Sequence, residues 1–167
     1  MSTLRLATAF SCFANFANAA IDPCVVGTWQ ADLDELAQIM ASQMQGAATP
    51  VGGMVVMQVA PPGSVRIEVQ NMTLRVKVPN APEMDVSVSG YSAGGMQAEG
   101  GSWAATATDY NLVGAADVMG TRMEIPFSSS TGMFGNGDGT YTCAGNSLSF
   151  TTNSTPAKIP PNWQRLD

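Results

Sequence analysis

The side chains that could do chemistry in this chain are few, and histidine does not occur at all. Its absence removes the commonest general base, the usual activator of a serine and the commonest neutral metal ligand. Triad hydrolysis and histidine-ligated haem are therefore excluded. The carboxylates are scattered: Asp32, Asp34 and Glu35 fit charges that favour the start of a helix, and Glu83 with Asp85 fits a solvated strand edge. The sequence sets no acid and base together, so the expectation is no enzyme, no catalytic residues and no cofactor.

Gly135-Asn136-Gly137-Asp138-Gly139 invites a calcium reading. The calcium loop needs an acid where Phe134 stands and a Glu downstream, so an Asn/Asp-Gly turn between strands is preferred and no metal site is expected. The pairs Gly94-Gly95 and Gly100-Gly101 likewise read as turns, because no helix follows them to make a phosphate cradle. Asn71-Met72-Thr73 and Asn153-Ser154-Thr155 match the N-glycosylation pattern, which has meaning only in a eukaryotic source. Of the eleven methionines, Met54, Met57, Met72, Met84, Met96, Met119, Met123 and Met133 spread through the region of alternating, strand-like pattern. Ordinary core filling is the first explanation, and an adaptable apolar cavity the second.

Cysteine chemistry is more informative. An Arg5 n-region, an apolar stretch from Leu6 to Phe16 and a small-x-small site at Ala17-Asn18-Ala19 read as a signal peptide over residues 1–19. Cys12 would leave with it, and the run before it is short for a lipoprotein leader. Cys24 and Cys143 then remain, in a secreted or periplasmic compartment that favours oxidation, and one disulfide is the only pairing available; two buried free thiols are the alternative. No other stretch is long and apolar enough to be a transmembrane helix. The net charge is −6 with only 12% charged residues, which repels phosphate backbones, so nucleic acid is not an expected partner.

The elements that must position these residues are mostly strands. Gly27 to Ala31 reads as a short strand, and Asp32 with Glu35 as a capping box for one helix carrying Leu33, Leu36, Ala37, Met40 and Met44 until Gly46 stops it. Val65, Ile67 and Val69, then Met72, Leu74, Val76 and Val78, alternate with polar residues. They predict a hairpin that turns at Gln70-Asn71 and sets Arg66 opposite Arg75. Further strands are predicted at Val55 to Val59, Asp85 to Tyr91, Ser102 to Ala107, Asn111 to Val118, Met123 to Phe127, Thr140 to Cys143 and Ser147 to Thr152. Ser92 to Ser102 reads as a long loop and the tail from Pro156 to Asp167 as an extended wrap. Residues 20–167 thus form one all-β domain, an up-and-down antiparallel barrel of about eight to ten strands with one short helix after the first.

Gly27-Thr28-Trp29 opening the first strand, followed by a helix and antiparallel strands, resembles the calycins, the group of lipocalins and fatty-acid-binding proteins. Small exported bacterial proteins with a Cys before Gly-Thr-Trp and a late Tyr-x-Cys look closer still. The resemblance implies that Trp29 plugs the closed end and that Arg165 lies across it, making Gly27, Trp29 and Arg165 a barrel-closing signature. It also implies a small apolar ligand inside the barrel, although no Arg and Tyr set matches the fatty-acid clamp and no ligand-binding residue can be named. The alternative is a structural or protein-interaction module of the envelope or surface.

Overall fold

The computed structural model describes residues 21–118, 120–130, 132–155 and 158–167; the expected leader with Cys12, and Met119, lie outside them. In chain order the elements are β1 (Gly27–Ala31), α1 (Leu33–Met44), β2 (Ala47–Ala60), β3 (Ser64–Lys77), β4 (Met84–Glu99), β5 (Ser102–Val118), β6 (Thr121–Pro126), β7 (Gly137–Ala144), β8 (Ser147–Thr152) and β9 (Asn162–Arg165). The sheet runs β4-β3-β2-β1-β9-β8-β7-β5-β6, and β4 also pairs with β5. Eight strands therefore close an antiparallel barrel, with β6 outside the ring.

The barrel has two tiers because its longest strands outrun their neighbours. β1 meets β2 only between Val56 and Val59, and β5 pairs with β7 over Ser102–Ala105 but with β6 over Val113–Val118. One tier is a full ring; in the other, β2 to β6 continue as an open five-stranded sheet. α1 fills that tier, where Leu36, Ala37 and Met40 join one buried cluster with Met72, Leu74, Val76, Val86 and Val88.

The hairpin expected at Gln70-Asn71 is instead a bulge inside one continuous strand. The register slips between Val69 and Met72, Asn71 takes φ 48°, and both bulge residues are exposed. A turn and a bulge both return Met72, Leu74 and Val76 to the dry face, so the alternation alone does not separate them. The long partners β2 and β4 decide it by running beside the whole strand. Arg66 consequently lies beside Gln58 and Ala93, while Arg75 faces Asp85 and bonds it at 2.9 and 3.1 Å, holding that carboxyl below its usual range.

The two strands expected at Ser102–Ala107 and Asn111–Val118 are likewise one strand, with a bulge near Asp109. Ser92 to Glu99 is strand rather than loop, leaving Gly100 and Gly101 as the turn. Gly94 misled because a strand glycine can mark close backbone approach instead of a break: a Cβ there would overlap the carbonyl oxygen of Thr106. Gly137, Asp138 and Gly139 also lie in β7, not in a turn.

The tail, expected as an extended wrap and not a strand, instead contributes β9, which closes the ring against β1. Asp32 caps α1 by accepting from the amides of Asp34 and Glu35 at 2.8 and 3.3 Å. Glu35 does not complete the capping box; its carboxylate accepts from the amide and side chain of Asn162, tying α1 to the start of β9. The helix ends on Gln45 in the left-handed region, one residue before Gly46.

At Gly90 (φ 122°) a Cβ would overlap the carbonyl oxygen of Asn111, whereas at Gly95 it would meet nothing within 4 Å. Gly90→Ala is therefore expected to cost on the order of 2 kcal/mol in urea unfolding, and Gly95→Ala to stay within about 0.5 kcal/mol of the parent.

Candidate functional site

The ring has a closed end, an interior and a plugged end, each built by different elements. At the closed end the chain before β1 crosses under the barrel, with Ile21 bridged to Ala98 and the Asp22 amide donating to the Ala98 carbonyl at 2.7 Å. Asp22 accepts from the Cys24 amide and from the Tyr141 hydroxyl, both at 2.8 Å. Burial, reinforced by that carboxylate, raises the Tyr141 phenol above its ordinary pKa.

Trp29 is fully buried and donates its indole N–H to the Val25 carbonyl at 2.8 Å. Its cross-strand partner is Arg165, whose guanidinium carbon lies 4.1 Å from the centroid of the Trp29 ring. The guanidinium also donates to the carbonyls of Cys24 at 2.6 Å and Val26 at 3.0 Å, satisfying backbone groups that no strand reaches. A Cβ on Gly27 would overlap Nη1 of Arg165, so a glycine leaves the guanidinium its place. Cys24 and Cys143 are joined, with Cα atoms 6.0 Å apart. Cys143 lies on β7 rather than on one of the last two strands, so the disulfide ties the segment before β1 across the β8 and β9 positions.

The plugged end was not legible as a site in the sequence. Met133 and Phe134, each 2% exposed, reach the interior from the connection between β6 and β7. Ser92 donates to the Phe134 carbonyl at 2.7 Å, Tyr110 to that of Met133 at 2.8 Å, and the Phe134 amide to the Lys158 carbonyl at 3.1 Å. Two apolar residues between Gly132 and Gly135 in a Ser- and Gly-rich stretch were the available signal: such a pair must bury itself somewhere.

Beneath Phe134 lies a cavity of about 30 Å³, lined by Met57, Ile67, Met96, Trp103, Phe150 and Trp163 among others. That is room for one or two waters. A larger open groove of about 570 Å³ lies between α1 and the end of β8, bordered by Ser42, Thr151, Thr152 and Ser154; its one carboxylate, Glu35, is already bonded to Asn162. Among the described residues no three of His, Cys, Asp and Glu gather as metal ligands, and no buried side-chain polar atom lacks a partner. Two further carboxylates each accept from one side chain, Asp109 from Tyr91 at 3.0 Å and Asp138 from Asn153 at 2.6 Å.

Removing the disulfide as Cys24→Ser with Cys143→Ser should cost about 4 to 5 kcal/mol, because it releases a loop spanning 119 residues. Hydrogen exchange should rise first in residues 21–31 and β9 and last in β3 and β4; two free thiols in the oxidised parent would refute the pairing.

Burial pushes the Tyr110 phenol up to about 12, against about 10 when unfolded. The unfolded chain therefore loses that proton first, so the contribution is complete below about pH 10 and falls as pH rises towards 12. Urea midpoints of the parent should drop across this window more steeply than those of Tyr110→Phe.

No protein-family model matches this chain, and no curated protein or solved structure matches it at a significant level; its eight-stranded antiparallel barrel with one short helix is consistent with a calycin-like barrel.

Proposed function

We propose that the mature protein is an exported, non-catalytic interaction module of the cell envelope or surface, its barrel a rigid platform and its interior simply core. The observation that carries this reading is the filling of the interior. A cavity of about 30 Å³ is an order of magnitude below the roughly 300–1,000 Å³ of small-molecule pockets. The lack of histidine and the pairing of Asp22 and Asp109 with phenols, Glu35 and Asp138 with Asn side chains and Asp85 with a guanidinium support a role without catalysis. The leader pattern and the Cys24–Cys143 disulfide support export.

A second reading keeps a small apolar ligand inside the barrel, entering in exchange for Phe134. It is favoured by one feature: Met133 and Phe134 come from a connecting segment, and the space under them is lined by Trp, Phe and Met side chains.

Native mass spectrometry of the oxidised mature protein, with a titration of the apolar fluorophore N-phenyl-1-naphthylamine, separates the two. The platform reading expects polypeptide masses without any small-molecule adduct and no saturable fluorescence. A one-to-one adduct, or saturable binding that Phe134→Ala tightens and Ala105→Trp abolishes, would overturn it in favour of the carrier.

A further inference from the structure

β6 pairs with β5 along one side, and among the described residues its other side has no strand partner. Such an edge is a template for another strand unless it is guarded by charge or proline. β6 carries Arg122, Glu124 and Pro126. The two charges guard against most partners, but their spacing makes the edge complementary to itself.

The ladder fixes which groups face outwards. Val118 and Thr121 are opposite each other with only two residues between them, and the pair that closes so short a connection is hydrogen-bonded. Bonded and non-bonded pairs alternate from there, so Ala116 with Met123 and Gly114 with Ile125 are bonded as well. The backbone groups of Thr121, Met123 and Ile125 thus point to β5. Those of Arg122 and Glu124, with the carbonyl of Pro126, point to the free side.

A second copy adding antiparallel about a two-fold axis can bring these outward groups together in three central registers. Arg122 opposite Arg122 and Glu124 opposite Glu124 each set like charges directly against one another, which destabilises a strand pair. The third sets Arg122 opposite Glu124 of the second copy twice over, and places Gly120 where its amide can donate to the Pro126 carbonyl. Met123, 55% exposed, then lies on the axis against its own copy, an adaptable apolar contact.

We propose that the protein forms a two-fold homodimer by antiparallel pairing of β6, in the register that sets Arg122 opposite Glu124 of the second copy. The interface is isologous, and it joins two open five-stranded tiers into one continuous sheet. A six-residue edge is a small interface, so dissociation in roughly the micromolar range is expected.

Sedimentation equilibrium of the oxidised mature protein from about 1 μM to 1 mM at physiological salt tests this, with circular dichroism confirming that each variant is folded. Arg122→Glu and Glu124→Arg should each weaken self-association about tenfold or more, by placing like charges opposite. An equimolar mixture of the two variants should dimerise again, because each then meets the opposite charge in its partner. A parent that stays monomeric throughout overturns the proposal. So does a dimer that neither single variant weakens, and so does the failure of the mixture to recover association.

Discussion

Three residue pairs, Trp29 with Arg165, Gln30 with Gln164 and Ala31 with Trp163, form the seam between β1 and β9, and the ring stands or falls with them. Ladder bonds over so short a seam contribute about 1 kcal/mol each. Trp29 and Trp163 are 0% and 1% exposed, and an indole that buries on the order of 200 Å² contributes roughly 5 kcal/mol. The side chains hold the seam more than the backbone does. Small faces large across it, Ala31 against Trp163, so both indoles fit on adjacent short strands. Arg165 adds the stacking over Trp29 and ties down the carbonyls of Cys24 and Val26, and the disulfide anchors the same segment from the other side.

The second tier depends on that seam through strand length. β3, β4 and β5 have 14, 16 and 17 residues, far more than the four or five of β9 and β1. Strands so unequal cannot all close one cylinder, and the long ones must bend as they leave it. The register shifts lie where that bending is needed, between Pro50 and Met54, between Val69 and Met72 and between Ala93 and Gly94. Bulges increase local twist and bend the strand that carries them. Gly53, at φ 101°, would set a Cβ against the backbone of Met72, so the bulges of β2 and β3 nest against each other.

This explains which parts were legible in the sequence. The signals that depend on near neighbours were sound: the alternation of β3, the N-cap at Asp32, the Gly100-Gly101 turn. The disulfide was legible because assigning Cys12 to an expected leader left two cysteines to pair. The signals that failed are those whose meaning is set by a distant partner. Gln70-Asn71 as turn or bulge depends on β2 and β4, Gly94 on the carbonyl of Thr106, and β9 on the free edge of β1. Phe134 carried no periodic signal because its burial is decided by Ser92 and Tyr110 on strands far away in sequence.

The wall residues explain why the interior is filled from the connections. On β4 and β5 several inward positions are small, Gly94 and Ala98 on one and Ala105, Ala107, Gly114 and Ala116 on the other, beside larger ones such as Met96, Trp103 and Leu112. The small positions would leave space inside the walls, and an empty apolar cavity costs stability in proportion to its volume. The missing volume comes from α1 in the open tier and from Met133 and Phe134 above the ring. Strand residues are locked by the ladder, whereas Met133 and Phe134 are held by their own packing and three hydrogen bonds. The platform and carrier readings therefore differ in one physical quantity, the free energy of withdrawing that plug. The barrel walls are the same in both.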